Sequence, residues 1–166
     1  MGRTFELRRT QRIARPVDEV CAFFADALNL QRITPAFLRF EVSTPTPIDM
    51  RTGTMIDYRL RLHGLPIRWR TRISAWQPPH RFVDEQVRGP YRLWVHTHTF
   101  HEDGDGTIMN DHVRYAMLGG ALVHRLWVRR DLQRIFDYRR DAIAACFGSE
   151  GDGLHAGDAA CKSSAS

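Results

Sequence analysis

Two histidines in the segment 94–100 are the side chains of this chain best suited to acid–base chemistry. Alternate side chains of an extended strand point to the same face, so His96 and His98 share a face with Trp94 and Phe100. The two aromatic residues indicate that this face is buried. An imidazole changes its charge near neutral pH, and a buried pair of imidazoles can therefore transfer protons or orient a ligand.

Neighbouring strands offer carboxylates that could orient these imidazoles. Asp111 lies in the following strand, on the same face as its apolar neighbours. Upstream, either Glu85 or the pair Asp84 and Gln86 faces inward, and the sequence leaves that choice open. A carboxylate beside an imidazole selects its tautomer and raises its basicity, as a general base requires.

Three roles are open to these side chains: catalysis, pocket lining without catalysis, or a buried polar network that only supports the sheet. In an enzyme the catalytic set would be His96, His98 and Asp111. Gln11 is a further candidate for the cavity wall. The predicted ligand-binding residues are Tyr58, Trp69, Glu85, Trp94, His96, His98, Asp111 and Tyr115.

A His-X-His pair can also chelate a metal ion, with Asp111 or Glu85 as a third ligand. That pattern alone is weak, and we predict no metal and no other cofactor. The three cysteines are far apart and lie in no metal-ligand spacing, which excludes a disulfide framework and suits a reducing compartment. Cys21 and Cys146 fall in predicted helices and are expected to be small core residues.

The elements that must position these residues are predicted from hydrophobic periodicity. An alternating strand comes first, and two short helices follow Pro16. Six more alternating segments are then separated by Gly- and Pro-containing turns. The predicted strands are 5–13, 38–42, 56–62, 67–74, 81–88, 91–101 and 107–117, and the short helices are 17–24 and 28–33.

After Gly119 and Gly120 the apolar period changes to 3.6 residues, which predicts a long helix over 121–147. Its apolar stripe comprises Val128, Leu132, Ile135, Ile143 and Cys146. The remaining tail, 148–166, is rich in Gly, Ser, Ala and Asp, and we expect it to be disordered.

Composition restricts the classes of partner. The chain has 166 residues, the length of one domain, and a net charge of +5. Its arginines alternate with apolar residues along predicted strands, as on the solvated face of an antiparallel sheet, so we predict no specific nucleic-acid binding. Without an apolar run of about 20 residues or a signal core, we expect a cytoplasmic protein with no integral membrane association.

This order of elements resembles the START-like superfamily, also called SRPBCC, over residues 4–147. The stretches ARPVDEVCAFFAD, WQPPHRFVDEQVRGPYRLWVHTHTF and DHVRYAM are similar to the polyketide cyclase/dehydrase and lipid-transport group of bacterial proteins. The resemblance implies an α+β helix-grip fold, with a curved antiparallel sheet of about seven strands around a long C-terminal helix. It also implies a pocket between that sheet and the helix.

We therefore predict that residues 1–147 form one domain that binds a hydrophobic or amphipathic small molecule, such as a lipid, a quinone or a polyketide-like compound. The first alternative is a cofactor-independent cyclase, dehydratase or isomerase that acts by His/carboxylate acid–base chemistry. The second is a protein-interaction module whose core is filled by its own side chains. The sequence leaves the ligand and the oligomeric state open.

Overall fold

A seven-stranded antiparallel sheet and a C-terminal helix dominate the computed structural model, which describes residues 3–117 and 128–148. The strands are β1 (Phe5–Ile13), β2 (Glu41–Val42), β3 (Met55–Leu62), β4 (Leu65–Gln77), β5 (Arg81–Arg88), β6 (Leu93–Asp103) and β7 (Gly106–Ala116). The helices are α1 (Val17–Ala25), α2 (Ala27–Arg32) and α3 (Arg129–Gly148), with a single 3₁₀ turn at Ala36–Leu38.

The strands are arranged in the order β1-β7-β6-β5-β4-β3-β2, and each neighbouring pair is antiparallel. The first strand therefore pairs with the last, while β2 to β7 follow one another in chain order. This arrangement confirms the predicted α+β helix-grip fold. It also places β5, β6 and β7 side by side, so that the histidine strand has a neighbour on each edge.

Helix α1 begins at its predicted residue, Val17, and α2 begins at Ala27, one residue before the prediction. Pro16 precedes α1, and the acidic residues Asp18 and Glu19 lie in its first turn. The positive end of the helix dipole stabilises their negative charges there. The Asp26 side chain accepts a hydrogen bond from the Leu28 amide and so caps α2. Cys21 is buried on α1, in agreement with its predicted role as a small core residue.

The strand predicted over 38–42 is much shorter in the structure. Arg39 has a φ of 43°, in the left-handed region, where it ends the 3₁₀ turn and interrupts extended backbone. Only Glu41 and Val42 pair with β3. In the segment 38–42, alternation of apolar and polar residues therefore indicated which side chains face inward, but it did not indicate the length of the strand.

The arginines of β3 and β4 lie on the outer face, as predicted from their alternation with apolar residues. Arg70 donates two hydrogen bonds to the Asp57 carboxylate, at 2.7 and 2.8 Å, across these two strands. The β3–β4 turn passes through His63 and Gly64, both with positive φ, a combination that favours a tight hairpin.

Helix α3 packs its buried residues against the inner face of the sheet. The buried side chains recur at spacings of four, three and four residues: Leu132, Phe136, Arg139 and Ile143. Residues 121–127 of the predicted helix, the Gly119–Gly120 hinge, and the tail beyond Gly148 with Cys161 lie outside the described residues. Within the two described ranges, no helix is long and apolar enough to cross a membrane.

Candidate functional site

A cavity of about 190 Å³ lies between the inner face of the sheet and α3. Side chains from β3 to β6 line one side, and residues of α1, α2 and α3 line the other. Most of this wall is apolar, including Leu60, Ile67, Trp94 and Ile135. Predominantly apolar walls with a few placed polar groups are typical of small-molecule sites.

Four side chains form the polar part of the interior, which we call the His–Asp cluster: Asp84, His96, His98 and Asp111. Asp111 Oδ1 lies 2.9 Å from both His96 Nε2 and His98 Nδ1. Asp84 Oδ2 lies 3.0 Å from His98 Nε2 and 3.6 Å from His96 Nδ1. Every imidazole nitrogen of the cluster therefore faces a carboxylate.

Two of these four contacts are hydrogen bonds, and both run diagonally across neighbouring strands. They join His96 to Asp111 and His98 to Asp84. His98 Nδ1 is close to Asp111 but has no hydrogen-bond partner among the described residues, so that contact is electrostatic.

Strand register brings these four residues together. In the β5–β6 pair Asp84 is opposite His96, and in the β6–β7 pair His98 is opposite Asp111. Residues directly and diagonally opposite on one face of a sheet are close enough for side-chain contact. Because the side-chain period is two, a slip of one residue in either pair would move a carboxylate to the outer face.

Both carboxylates are held in their ionised form. Burial alone would raise the pKa of Asp84, but its hydrogen bond to His98 and its electrostatic interactions with the two imidazoles and Arg139 outweigh burial and lower it. Burial acts in the same way on Asp111, and Arg139 with the two imidazoles holds the pKa of that carboxyl well below its usual range.

The two histidines differ in their affinity for a proton. Burial and the neighbouring His98 lower the pKa of His96, and the contacts with Asp111 do not offset them. For His98, burial is outweighed by the contacts with Asp111 and Asp84, so its pKa is raised. The contacts of the cluster thus favour a proton on His98 over a proton on His96.

Arg139 is a buried residue of the cavity wall that the sequence pattern did not lead us to predict. It is 8% exposed, and it lines the cavity together with Asp84 and the two histidines. The signal was available, because Arg139 lies three residues after Phe136 and four before Ile143, on the apolar stripe of α3. An arginine on such a stripe requires a partner or a function, since a buried charge is costly when isolated.

The structure places five of the predicted ligand-binding residues in the cavity wall: Tyr58, Trp69, Trp94, His96 and His98. Burial raises the pKa of the Tyr58 hydroxyl, which therefore remains protonated and able to donate a hydrogen bond. The Trp69 indole donates to Thr71 Oγ1 at 3.0 Å, which fixes the ring in the wall.

The prediction that Glu85 faces the ligand is wrong. It points to the outer face, where its carboxylate accepts a hydrogen bond from Arg72 at 2.9 Å, and Asp84 occupies the inner face instead. Gln86 shares the face of Asp84, but its side chain donates to the Tyr91 carbonyl and does not line the cavity. Val83 and Val87 are apolar residues on the face of Glu85, which is why alternation could not decide the orientation of β5.

Asp111 and Tyr115 are buried but lie behind the cavity wall. Asp111 contacts the histidines from the side away from the cavity and borders a second, smaller void of about 20 Å³ with Gln11 and Arg139. Tyr115 packs in a hydrophobic part of the core that also contains Leu132. The prediction that Asp111, Tyr115 and Gln11 line the ligand cavity is therefore wrong, although Asp111 remains in contact with both histidines.

Three groups of the cluster could offer ligand atoms to a metal ion. One atom each from Asp84, His96 and His98 lies within 4.8 Å of the others. Two imidazoles and a carboxylate are a ligand set that zinc accepts. The same nitrogens already face carboxylates at 2.9 to 3.6 Å, and the absence of a metal stays our prediction.

Comparisons with known proteins connect this architecture to a family. The profile of the family described as polyketide cyclase / dehydrase and lipid transport matches residues 4–145. Comparison with curated proteins found no match.

Several solved structures have the same fold. Protein CV1439 from Chromobacterium violaceum is 14% identical, with a TM-score of 0.70 over 87% of this chain and 98% of that one. Protein Ms6760 from Mycobacterium smegmatis is 19% identical, with a TM-score of 0.66 over 87% and 91% of the two chains. Ginseng major latex-like protein 151 from Panax ginseng is 14% identical, with a TM-score of 0.66 over 88% and 99%.

At such low identity these structures support the fold alone, and the family assignment depends on the sequence profile. That profile covers the whole sheet and all but the last residues of α3. It includes each member of the His–Asp cluster and Arg139. The chain therefore belongs to the polyketide cyclase/dehydrase and lipid-transport family.

Proposed function

We propose that this protein binds a hydrophobic or amphipathic small molecule in the cavity between the sheet and α3. The observation that carries the proposal is the cavity itself, about 190 Å³ with mainly apolar walls and with Asp84, His96 and His98 of the His–Asp cluster on one part of them. The family assignment supports the same function. The alternative of an interaction module with a filled core is disfavoured by that space.

The size of the cavity suits a ligand with a compact apolar body. An apolar protein cavity of about 150 Å³ is large enough for benzene. Burying roughly 200 Å² of apolar ligand surface would contribute about 5 kcal/mol before the costs of association are subtracted. Polar contacts to the cluster would then set the orientation of the ligand more than its affinity.

Native mass spectrometry of the gently purified protein, combined with analysis of an organic extract, tests the proposal. Ala27 lines the cavity, so Ala27→Leu should reduce the space without introducing a polar group. Ala144→Leu on the exposed surface of α3 is the matched control. We expect a stoichiometric hydrophobic molecule in the wild type and the control, and its loss in Ala27→Leu.

An apo mass in all three proteins, together with no binding of an added apolar fluorescent dye, would contradict ligand binding. Dye binding that Ala27→Leu leaves unchanged would place the ligand elsewhere. Thermal unfolding of each variant shows whether a lost ligand reflects the cavity or the stability of the fold.

A second candidate function, proton-transfer catalysis, is favoured by the two diagonal His–carboxylate pairs at the cavity wall. A protonated His98 could act as the acid and a neutral His96 as the base in a cyclisation, dehydration or isomerisation through an enol. Asp111 would orient both rings. General acid–base groups of this kind contribute about 10²- to 10⁴-fold to rate.

Substitution separates catalysis from binding. Once the extract supplies a substrate, His96→Gln and His98→Gln should abolish turnover while ligand affinity stays within about tenfold, roughly 1.4 kcal/mol. His112→Gln, on the outer face beside Glu6, is the matched control. Unchanged turnover in both cluster variants would end the catalytic candidate and leave the binding function.

A further inference from the structure

The guanidinium of Arg139 is a buried cation in the cavity wall that the described residues leave without a direct anionic partner. Its Nε atom is buried and has no hydrogen-bond partner among residues 3–117 and 128–148. The carboxylates nearest in the interior, Asp84 and Asp111, direct their contacts to the two imidazoles. A buried donor without an acceptor destabilises the fold, and more so when it is charged.

Aromatic rings hold the guanidinium without neutralising it. Its central carbon lies 5.5 Å from the centroid of the Phe24 ring and 5.9 Å from that of Phe136. Contacts of this kind stabilise a cation, but they supply no hydrogen-bond acceptor. They fix the position of Arg139 and leave its donors available.

The charges around the cavity also accommodate an incoming anion. The two carboxylates of the His–Asp cluster are each in contact with both imidazoles. Arg139 influences both carboxylates through space, without a contact short enough to form an ion pair in the part of the chain that is described. Because both carboxylates are already in contact with the imidazoles, the charge of Arg139 remains available to an incoming acid.

We propose that Arg139 binds the acidic group of the ligand, and that the ligand is therefore an amphipathic acid with a carboxylate or enolate head and a compact apolar body. The inference rests on the proposed function and names the chemical class of its ligand. A planar oxyanion suits a guanidinium, whose donors lie in one plane. The apolar body would occupy the space between Trp94, Ile135 and their neighbours.

A matched pair of probes tests this class directly. 2-Naphthoate and 2-naphthamide have the same apolar body and nearly the same shape, but only naphthoate is charged at pH 7. Isothermal titration of the full chain with each probe should show that naphthoate binds at least about tenfold more tightly. This comparison uses the wild type alone and does not depend on how any variant folds.

Substitution then assigns the preference to one side chain. Arg139→Gln should remove the preference for naphthoate while the affinity for naphthamide changes by less than about threefold. Arg139→Lys retains the charge and should keep part of the preference. Arg140→Gln is the matched control, because Arg140 is exposed and pairs with Asp141 on the outside of the helix.

Each result decides one of two questions. Equal binding of the two probes to the wild type, or an unchanged preference in Arg139→Gln, would overturn the role of Arg139 and leave the binding function in place. Failure of both probes to bind the wild type would overturn the proposed cavity function, and the inference with it. A preference lost in Arg140→Gln as well would show that general surface charge explains it, which would also overturn the inference.

Discussion

The imidazole rings of His96 and His98 lie with their centroids 3.8 Å apart and their planes inclined by 36°. Two imidazolium cations at this distance in a buried site would repel each other strongly. The flanking carboxylates raise the pKa of His98, whereas burial and the neighbouring His98 lower the pKa of His96. This pair is the most informative chemical feature of the protein, and most of our predictions concern it.

The two histidines should titrate in separate steps, one above and one below the ordinary value of 6.5. Strongly interacting groups titrate as a pair, so the two pKa values belong to the cluster. Nitrogen-detected NMR of the imidazoles measures both steps. A range of about pH 4–9 covers the pH values at which histidines change their charge. Asp111→Asn should lower the upper step, because a contact that favours the cation is removed. A single step near 6.5 would contradict the coupling.

Stability should depend on pH in a direction set by each shift. His96 has a folded pKa below 6.5, so the unfolded chain binds its proton first and stability falls as the pH drops through that range. Asp84 and Asp111 have lowered pKa values and add a further loss below 3.8. His98, with its raised pKa, contributes stability below 6.5 that disappears as the pH rises through its folded pKa.

Urea denaturation at a series of pH values measures these slopes. We expect His98→Gln to remove the alkaline loss and His96→Gln to reduce the loss that begins below 6.5. If the free energy of unfolding of the wild type does not change between about pH 5 and 8, the pKa shifts of the two histidines are absent.

Asp111→Asn should destabilise the fold by about 3–5 kcal/mol, the usual cost of breaking a buried charge pair on one side. Asp111 contacts both imidazoles and is shielded from solvent, so neither ring can find a replacement partner in water. Asp103→Asn is the control, because Asp103 pairs with Arg12 at the surface. The free energy of unfolding follows from urea titration monitored by circular dichroism. Equal midpoints for the two variants would argue against a cluster that contributes to folding.

Phe100→Ala should cost about 3–5 kcal/mol through the cavity it leaves in the core. The ring is fully buried and packs against Phe24 and Phe82, at centroid distances of 5.5 and 6.1 Å. Leu65→Ala, at a position 69% exposed next to the β3–β4 turn, should leave the unfolding midpoint unchanged. A small effect of Phe100→Ala would mean that the strands relax around the gap.

Purified protein should contain no stoichiometric transition metal, because the nitrogens that could bind one already face carboxylates. Inductively coupled plasma mass spectrometry after dialysis against buffer without chelator measures this. One equivalent of zinc that disappears in His98→Gln would contradict the prediction and assign the metal to Asp84, His96 and His98.

Much of the site could be predicted from periodicity along single strands. Alternation on β6 correctly directed His96 and His98 inward with Phe100, since the geometry of one strand is sufficient for that statement. Alternation failed on β5, where apolar residues occur on both faces. There the choice between Asp84 and Glu85 depends on how β5 pairs with β6, which the pattern of β5 alone does not contain.

The sequence by itself determined the order of elements, the inner face of the histidine strand and the family resemblance, because these follow from local patterns. Only the tertiary structure decided that Asp84 and Asp111 contact both imidazoles from opposite sides, and that Arg139 lies in the cavity wall. The first result depends on strand register, and the second on the rotation of α3 about its axis. Both arise when the whole chain packs, so they cannot be derived from the periodicity of any one segment.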